Sequence, residues 1–238
     1  MTVLDEIAPP GGLFLRLRAA AAGEWAAYTE HPFVARLAAG DLPEASFRHY
    51  LGQDYLFLIH FARAYALAAY KSDSLEDIRQ AAGGVKAILE DEIGLHVAFC
   101  AGWGLDEAAM AALPEAAETM AYTRYVLERG LAGDLLDLHV ALAPCVLGYA
   151  EIGRRIAREK GATLAGNPYR TWIEMYADEE YGGVARAEAE QLDRVLLRRT
   201  GLRASEIEGT ARWNSLVTTF REACRLEASF WQMGLDAA

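Results

Sequence analysis

Apolar residues recur at three- and four-residue steps along nearly the whole chain, with no sustained apolar/polar alternation of β-branched residues and no Asn-Gly turn. That period belongs to helices that bury one face, so the fold is expected to be all-α. The pattern places helices near 13–29, 32–39, 43–71, 74–101, 106–112, 115–132, 134–160, 169–181, 183–199 and 204–234. Residues that start or stop helices stand between them: Ser74, Gly104, Pro114, Gly133, Gly161, Asn167-Pro168, Gly182-Gly183 and Gly201. Leu42-Pro43-Glu44 opens the third, with proline near the first turn and an acidic residue beside it. Residues 1–12 form a short leader ending at Gly12. No repeat, low-complexity tract or linker divides the rest, so residues 13–238 are expected to make a single all-helical bundle.

Length agrees with one core, since a compact chain of 238 residues buries roughly 70% of its unfolded surface. Charge narrows the partners. The formal net charge of -11 disfavours nucleic acid and anionic membranes, both of which select basic patches. The densest basic cluster, Arg194, Arg198, Arg199 and Arg203, alternates with apolar positions and reads as the solvated face of a helix. Cys100, Cys145 and Cys224 are widely spaced and never in C-x-x-C, which fits a reducing cytoplasm and implies neither a disulfide framework nor a thiolate zinc site. The start, MTVLDEIAPPGG, has acidic residues and prolines where a signal peptide carries a basic end and an apolar run. His60, Arg63 or Pro144 interrupts the most apolar stretches, so none is expected to supply the roughly 20 apolar residues of a membrane span.

Candidate chemistry centres on Cys145 in ALAPCVLGYAEIG. Pro144 removes a backbone donor and crowds the carbonyl of Val140, so a kink is expected there. Tyr149, four residues on, shares the helix face of Cys145. A buried thiol also serves as a small hydrophobe, so the segment alone leaves both roles open. Four other segments turn polar or aromatic groups inward: Asp54 and Phe57 in one aromatic helix, Tyr122 and Tyr125 in AYTRYVL, Trp172 and Tyr176 in WIEMYADEEY, and Glu227 with Phe230 and Trp231 in LEASFWQMG. A buried carboxylate is costly unless hydrogen-bonded or functional. Taken singly each has an ordinary reading: Asp54 bonding a neighbouring helix, Glu227 pairing with Arg221 or Arg225 on the surface, tyrosines filling a core. A di-iron bundle needs Glu-x-x-His on two helices. None of His31, His49, His60, His96 or His139 has glutamate three residues before it, and Glu92 with His96, four apart, reads as an ordinary helix hydrogen bond. No metal is expected, and the histidines give a haem protein on a similar fold no specific support.

Taken together, HPFVARLAAGDLPEASFRHYLGQDY, EDEIGLHVAF, AYTRYVL, ALAPCVLGYAEIG, WIEMYADEEY and LEASFWQMG resemble the signature blocks of the TenA family, also called thiaminase II or aminopyrimidine aminohydrolase. The resemblance runs in order through most of the chain. It implies the all-helical fold shared with haem oxygenase, a homotetramer, no cofactor, and a small pyrimidine substrate of thiamin salvage. By the same resemblance Cys145 is the nucleophile, Asp54 holds the aminopyrimidine and Glu227 shuttles protons. Tyr149 and Phe230 sandwich the ring, and Tyr122 and Tyr176 complete the pocket. Phe57 departs from the family's usual tyrosine, which removes one pocket hydroxyl. The family's older label of transcriptional activator keeps a non-enzymatic regulator as the alternative, for which the acidic chain offers no basic recognition helix.

Overall fold

The computed structural model describes residues 3–237, and among them there is no β-strand. The helices are α1 (Leu4–Ile7), α2 (Leu13–Ala20), α3 (Ala22–Thr29), α4 (Pro32–Ala39), α5 (Glu44–Lys71), α6 (Leu75–Ala87), α7 (Ile93–Ala101), α8 (Glu107–Ala111), α9 (Ala117–Ala132), α10 (Leu135–Lys160), α11 (Arg170–Ala177), α12 (Glu179–Thr200) and α13 (Ala211–Asp236). A π-helical turn, Ile88–Glu92, joins α6 to α7, and a 3-10 segment, Gly161–Gly166, follows α10.

Two helices form the centre. α10 packs on α3, α5, α9, α11, α12 and α13, and every residue from Leu135 to Ala150 is buried. α5 is buried without a break from Tyr50 to Leu58. Over these stretches neighbouring elements cover both helices on every side. α10 is also long and apolar enough to cross a membrane by length and composition, contrary to the expectation from sequence, yet 94% of its most apolar window is buried inside the protein. Its hydropathy is that of a core helix. A capping box starts it: Asp134 accepts from the backbone N–H groups of Leu136 and Asp137, and Asp137 accepts from that of Asp134. Arg212 of α13 bonds both carboxylates at 2.7 Å. Such reciprocal capping satisfies donors that a helix start leaves unpaired. The helix continues through Pro144 without a break.

Several expected boundaries move, each for a local reason. The leader contains α1, whose Leu4 and Ile7 join the core while Arg186 donates twice to the Glu6 carbonyl. The helix expected over 13–29 is interrupted at Ala21, and that over 74–101 by the π turn. The last helix starts at Ala211 rather than near 204, with the Thr210 hydroxyl accepting from the Trp213 N–H as its cap. The break expected at Gly182-Gly183 lies at Asp178, whose carboxylate caps α12 through the Tyr181 N–H. Gly182 is a packing residue inside α12: a Cβ there would lie 1.8 Å from the Arg154 guanidinium.

Candidate active site

α5, α9, α10, α11 and α13 bring the expected residues into one buried region. Asp54 and Tyr50 are one turn apart on α5, and the Tyr50 hydroxyl donates to Asp54 Oδ2 at 2.9 Å. The single hydroxyl proton goes to that carboxylate. The oxygen in turn accepts from Trp172 Nε1 at 3.2 Å, and the Tyr149 hydroxyl lies 3.3 Å away. Tyr149 also meets Tyr176 edge-on at 4.9 Å between ring centres.

His96 completes the aspartate site, and sequence reasoning missed it. The ring is fully buried, with Nε2 2.7 Å from Asp54 Oδ2 and Nδ1 2.7 Å from the Glu92 backbone carbonyl. The Glu92–His96 pair makes the ordinary helix hydrogen bond expected from its spacing, through the Glu92 backbone carbonyl, and what sequence reasoning missed is the bond from the other ring nitrogen to Asp54. A carbonyl only accepts, so Nδ1 carries a proton, and the bond to Asp54 needs a second one on Nε2 or on the carboxyl. In either form the pair has no net charge. Burial lowers the His96 pKa and the Asp54 carboxylate raises it, with a net upward shift. The π turn before α7 aims the ring: one extra residue in a helix turns everything after it by about 100°.

Across the site, Tyr122 of α9 donates to Glu227 Oε1 of α13 at 2.8 Å. Glu227 therefore does not pair with Arg221 or Arg225 at the surface. Burial pushes its carboxyl up, the Tyr122 bond pulls it down, Asp54 adds repulsion, and the balance lies at about 8. Cys145 is buried, and burial first, then the neighbouring carboxylates Glu227, Glu92 and Asp54, pushes its thiol well above the ordinary range. The thiol and the Glu227 carboxyl also act on each other, the contact raising the thiol and lowering the carboxyl. Both shifts favour the protonated forms of Cys145 and Glu227.

Phe57 lies between Tyr122 and Phe230, 4.9 and 5.7 Å away between ring centres. Phe230 approaches Tyr50 at 6.1 Å, so Phe230 and Tyr149 both flank Tyr50. A cavity of about 170 Å³ reaches Cys145 from the surface between the π turn and the α11–α12 junction. Of the eight residues singled out from sequence, only Cys145 lines that cavity. The others form the packed polar and aromatic region around the thiol. Tyr181 links the two, lining the cavity while its ring meets Tyr176 at 4.8 Å. The volume is below the roughly 300–1,000 Å³ of drug-sized sites, which suits a small ligand. Among the described residues no group of three or more His, Cys, Asp or Glu side chains is arranged to hold a metal ion.

A family model described as TENA/THI-4/PQQC matches residues 18–237. An uncharacterized protein of Haemophilus influenzae is 40% identical over 90% of this chain and 94% of its own. An aminopyrimidine aminohydrolase of Halalkalibacterium halodurans is 35% identical over 89% of this chain and 90% of its own. A crystal structure described as a TenA family transcription regulator from a Silicibacter species superposes with a TM-score of 0.89 at 45% identity, covering 97% of this chain and 98% of that one. A Shewanella denitrificans domain described as having a heme oxygenase-like fold superposes with a TM-score of 0.68 at 15% identity, over 94% and 92% of the two chains, a likeness of fold alone.

Proposed function

The chain belongs to the TENA/THI-4/PQQC family, and on that premise we propose that it is a cysteine-dependent hydrolase of thiamin salvage. The reaction converts 4-amino-5-aminomethyl-2-methylpyrimidine and water to the 5-hydroxymethyl pyrimidine and ammonia, with weaker cleavage of thiamin. The observation that carries this reading is the pairing of a buried thiol at the end of a cavity with a carboxyl poised at about 8.

In this mechanism Asp54, oriented by His96 and Tyr50, binds the amino edge of the ring, and Tyr149 and Phe230 hold its faces. Tyr176 braces Tyr149. A thiol held above its ordinary pKa needs a proton acceptor as it attacks. Ionised Glu227 takes the thiol proton while sulfur bonds to ring C6, and the resulting acid protonates the adjacent ring nitrogen. A carboxyl near neutrality populates both forms, which is the property a proton shuttle requires. The nitrogen lone pair then pushes through the ring, the bond from the 5-methylene carbon to the amine in its ammonium form breaks, and neutral ammonia departs with the bonding pair. Water adds to the exocyclic carbon as Glu227 receives a proton from it. The electrons return, the carbon–sulfur bond breaks with its pair going to sulfur, the proton on the ring nitrogen passes to that thiolate and restores the thiol, and Glu227 hands the proton taken from water to the released ammonia.

A homotetramer in the cytoplasm is part of the same reading, and sedimentation checks the assembly. A DNA-contacting regulator draws no support from the basic cluster, because Arg198 pairs with Asp77, Arg199 with Asp73 and Arg194 with Gln191 and Glu190. The test of function is a panel of aminopyrimidines and thiamin with products identified by mass spectrometry. Release of the hydroxymethyl pyrimidine is expected, and a folded protein that turns over none of the panel refutes the proposal.

A further inference from the structure

The cavity that ends at Cys145 changes character along its length. Asp178 and Glu180 stand exposed at its mouth, and Glu92 is half-buried at its side. Between them and the thiol the walls are Phe61, Ile88, Val146, Met175 and Val184. No lysine, arginine or histidine lines it among the described residues. The guanidinium of Arg154, which donates to the Asp178 backbone carbonyl at 2.9 Å, is committed to Glu6 and Glu179. Asp178 keeps its place as the cap of α12. Carboxylates at the mouth of an apolar shaft face little competing positive charge, and low-dielectric walls focus their field along the path to the thiol.

We propose that this carboxylate mouth selects substrates by the charge of the group that leaves, admitting ammonium and thiazolium forms and rejecting phosphorylated ones. The inference rests on the hydrolase reading above. With the amino edge of the ring held by Asp54 behind Cys145, the leaving group lies between the thiol and the mouth. A phosphate ester on that leaving group then projects toward Asp178 and Glu180. One unit charge roughly 7 Å from one carboxylate in water changes affinity about threefold. Two carboxylates acting on a phosphate of charge about −2 multiply to about fiftyfold unscreened and to about fivefold after salt screening.

The test uses the full-length protein and its Asp178→Asn/Glu180→Gln double variant, in which asparagine keeps the helix cap. Values of kcat/KM are measured for the aminomethyl pyrimidine, thiamin and thiamin monophosphate, with an inhibition constant for any compound not turned over. The wild-type protein is expected to favour thiamin over its monophosphate by about fivefold at physiological salt. The double variant should cut that ratio at least about threefold, and added salt should narrow it in the wild type but less in the variant. An unchanged ratio in the double variant, or equal handling of the two compounds by the wild type, overturns this inference while leaving the hydrolase reading intact. Turnover of none of the three by folded wild-type protein overturns both.

Discussion

Tyr122→Phe removes one oxygen and should move a proton equilibrium on a different helix. The Tyr122 hydroxyl donates to Glu227 Oε1 at 2.8 Å and favours the ionised carboxylate against the pull of burial. A hydrogen bond to a charged group contributes about 1.5–3 kcal/mol. At 1.36 kcal/mol per pKa unit this corresponds to about 1–2 units. Glu227, at about 8 in the wild type, should therefore titrate at about 9–10 in the variant. In the proposed mechanism ionised Glu227 takes the thiol proton, so the acid limb of kcat/KM should shift to higher pH and the rate at pH 7 should fall about 10- to 100-fold. A second readout needs no turnover. Because the folded pKa lies above the unfolded one, the folded state holds the extra proton, and stability is full below about pH 4.5 and lost as pH rises through the folded value. Measured against Glu227→Gln, that loss should end near pH 8 in the wild type and continue to about pH 9–10 in Tyr122→Phe. An acid limb and a stability curve that both stay where the wild type has them would refute the reasoning.

Cys145→Ala should abolish turnover while leaving pyrimidine binding by calorimetry within a few-fold, with Cys100→Ala and Cys224→Ala active as controls; near-normal kcat in Cys145→Ala would contradict the nucleophile. Phe57→Tyr should raise kcat several-fold, because one added hydrogen bond contributes on the order of 1 kcal/mol; steady-state kinetics showing no change would remove position 57 from the chemistry. His96→Leu leaves buried Asp54 with the Tyr50 hydroxyl but without its histidine partner and should cost about 3–5 kcal/mol in denaturant unfolding, with Asp54→Asn in the same chain recovering part of the loss. Gly148→Ala should cost about 1–3 kcal/mol by overpacking, since its Cβ would lie 2.2 Å from Tyr28 Cε1; unaltered stability would show that the ring moves aside.

The all-helical fold was legible because its period is repeated in every segment, and helix ends with strong stop or cap residues, such as Ser74 and Gly201, fell where expected. Gly182-Gly183 misled because a glycine that admits Arg154 looks, in sequence, like one that ends a helix. Asp54, Tyr122, Cys145 and Glu227 stood out as polar groups on apolar stripes. His96 did not, since its partner on α5 is 42 residues away and its aim depends on a π turn that no residue type announces. The acidic mouth was equally hidden: Glu92 and Glu180 are unremarkable helix-surface residues until the α11–α12 junction is folded against the π turn.

The central claim is that Cys145 enables water to replace an amine on the 5-methylene carbon of a pyrimidine. The most direct test is a single incubation of the aminomethyl pyrimidine in water enriched in heavy oxygen, followed by mass spectrometry of the product and a count of ammonia released. The account predicts one heavy oxygen in the hydroxymethyl group, one ammonia per product, and neither from Cys145→Ala. Unlabelled product, ammonia without hydroxymethyl pyrimidine, or labelled product formed at an undiminished rate by Cys145→Ala would contradict it.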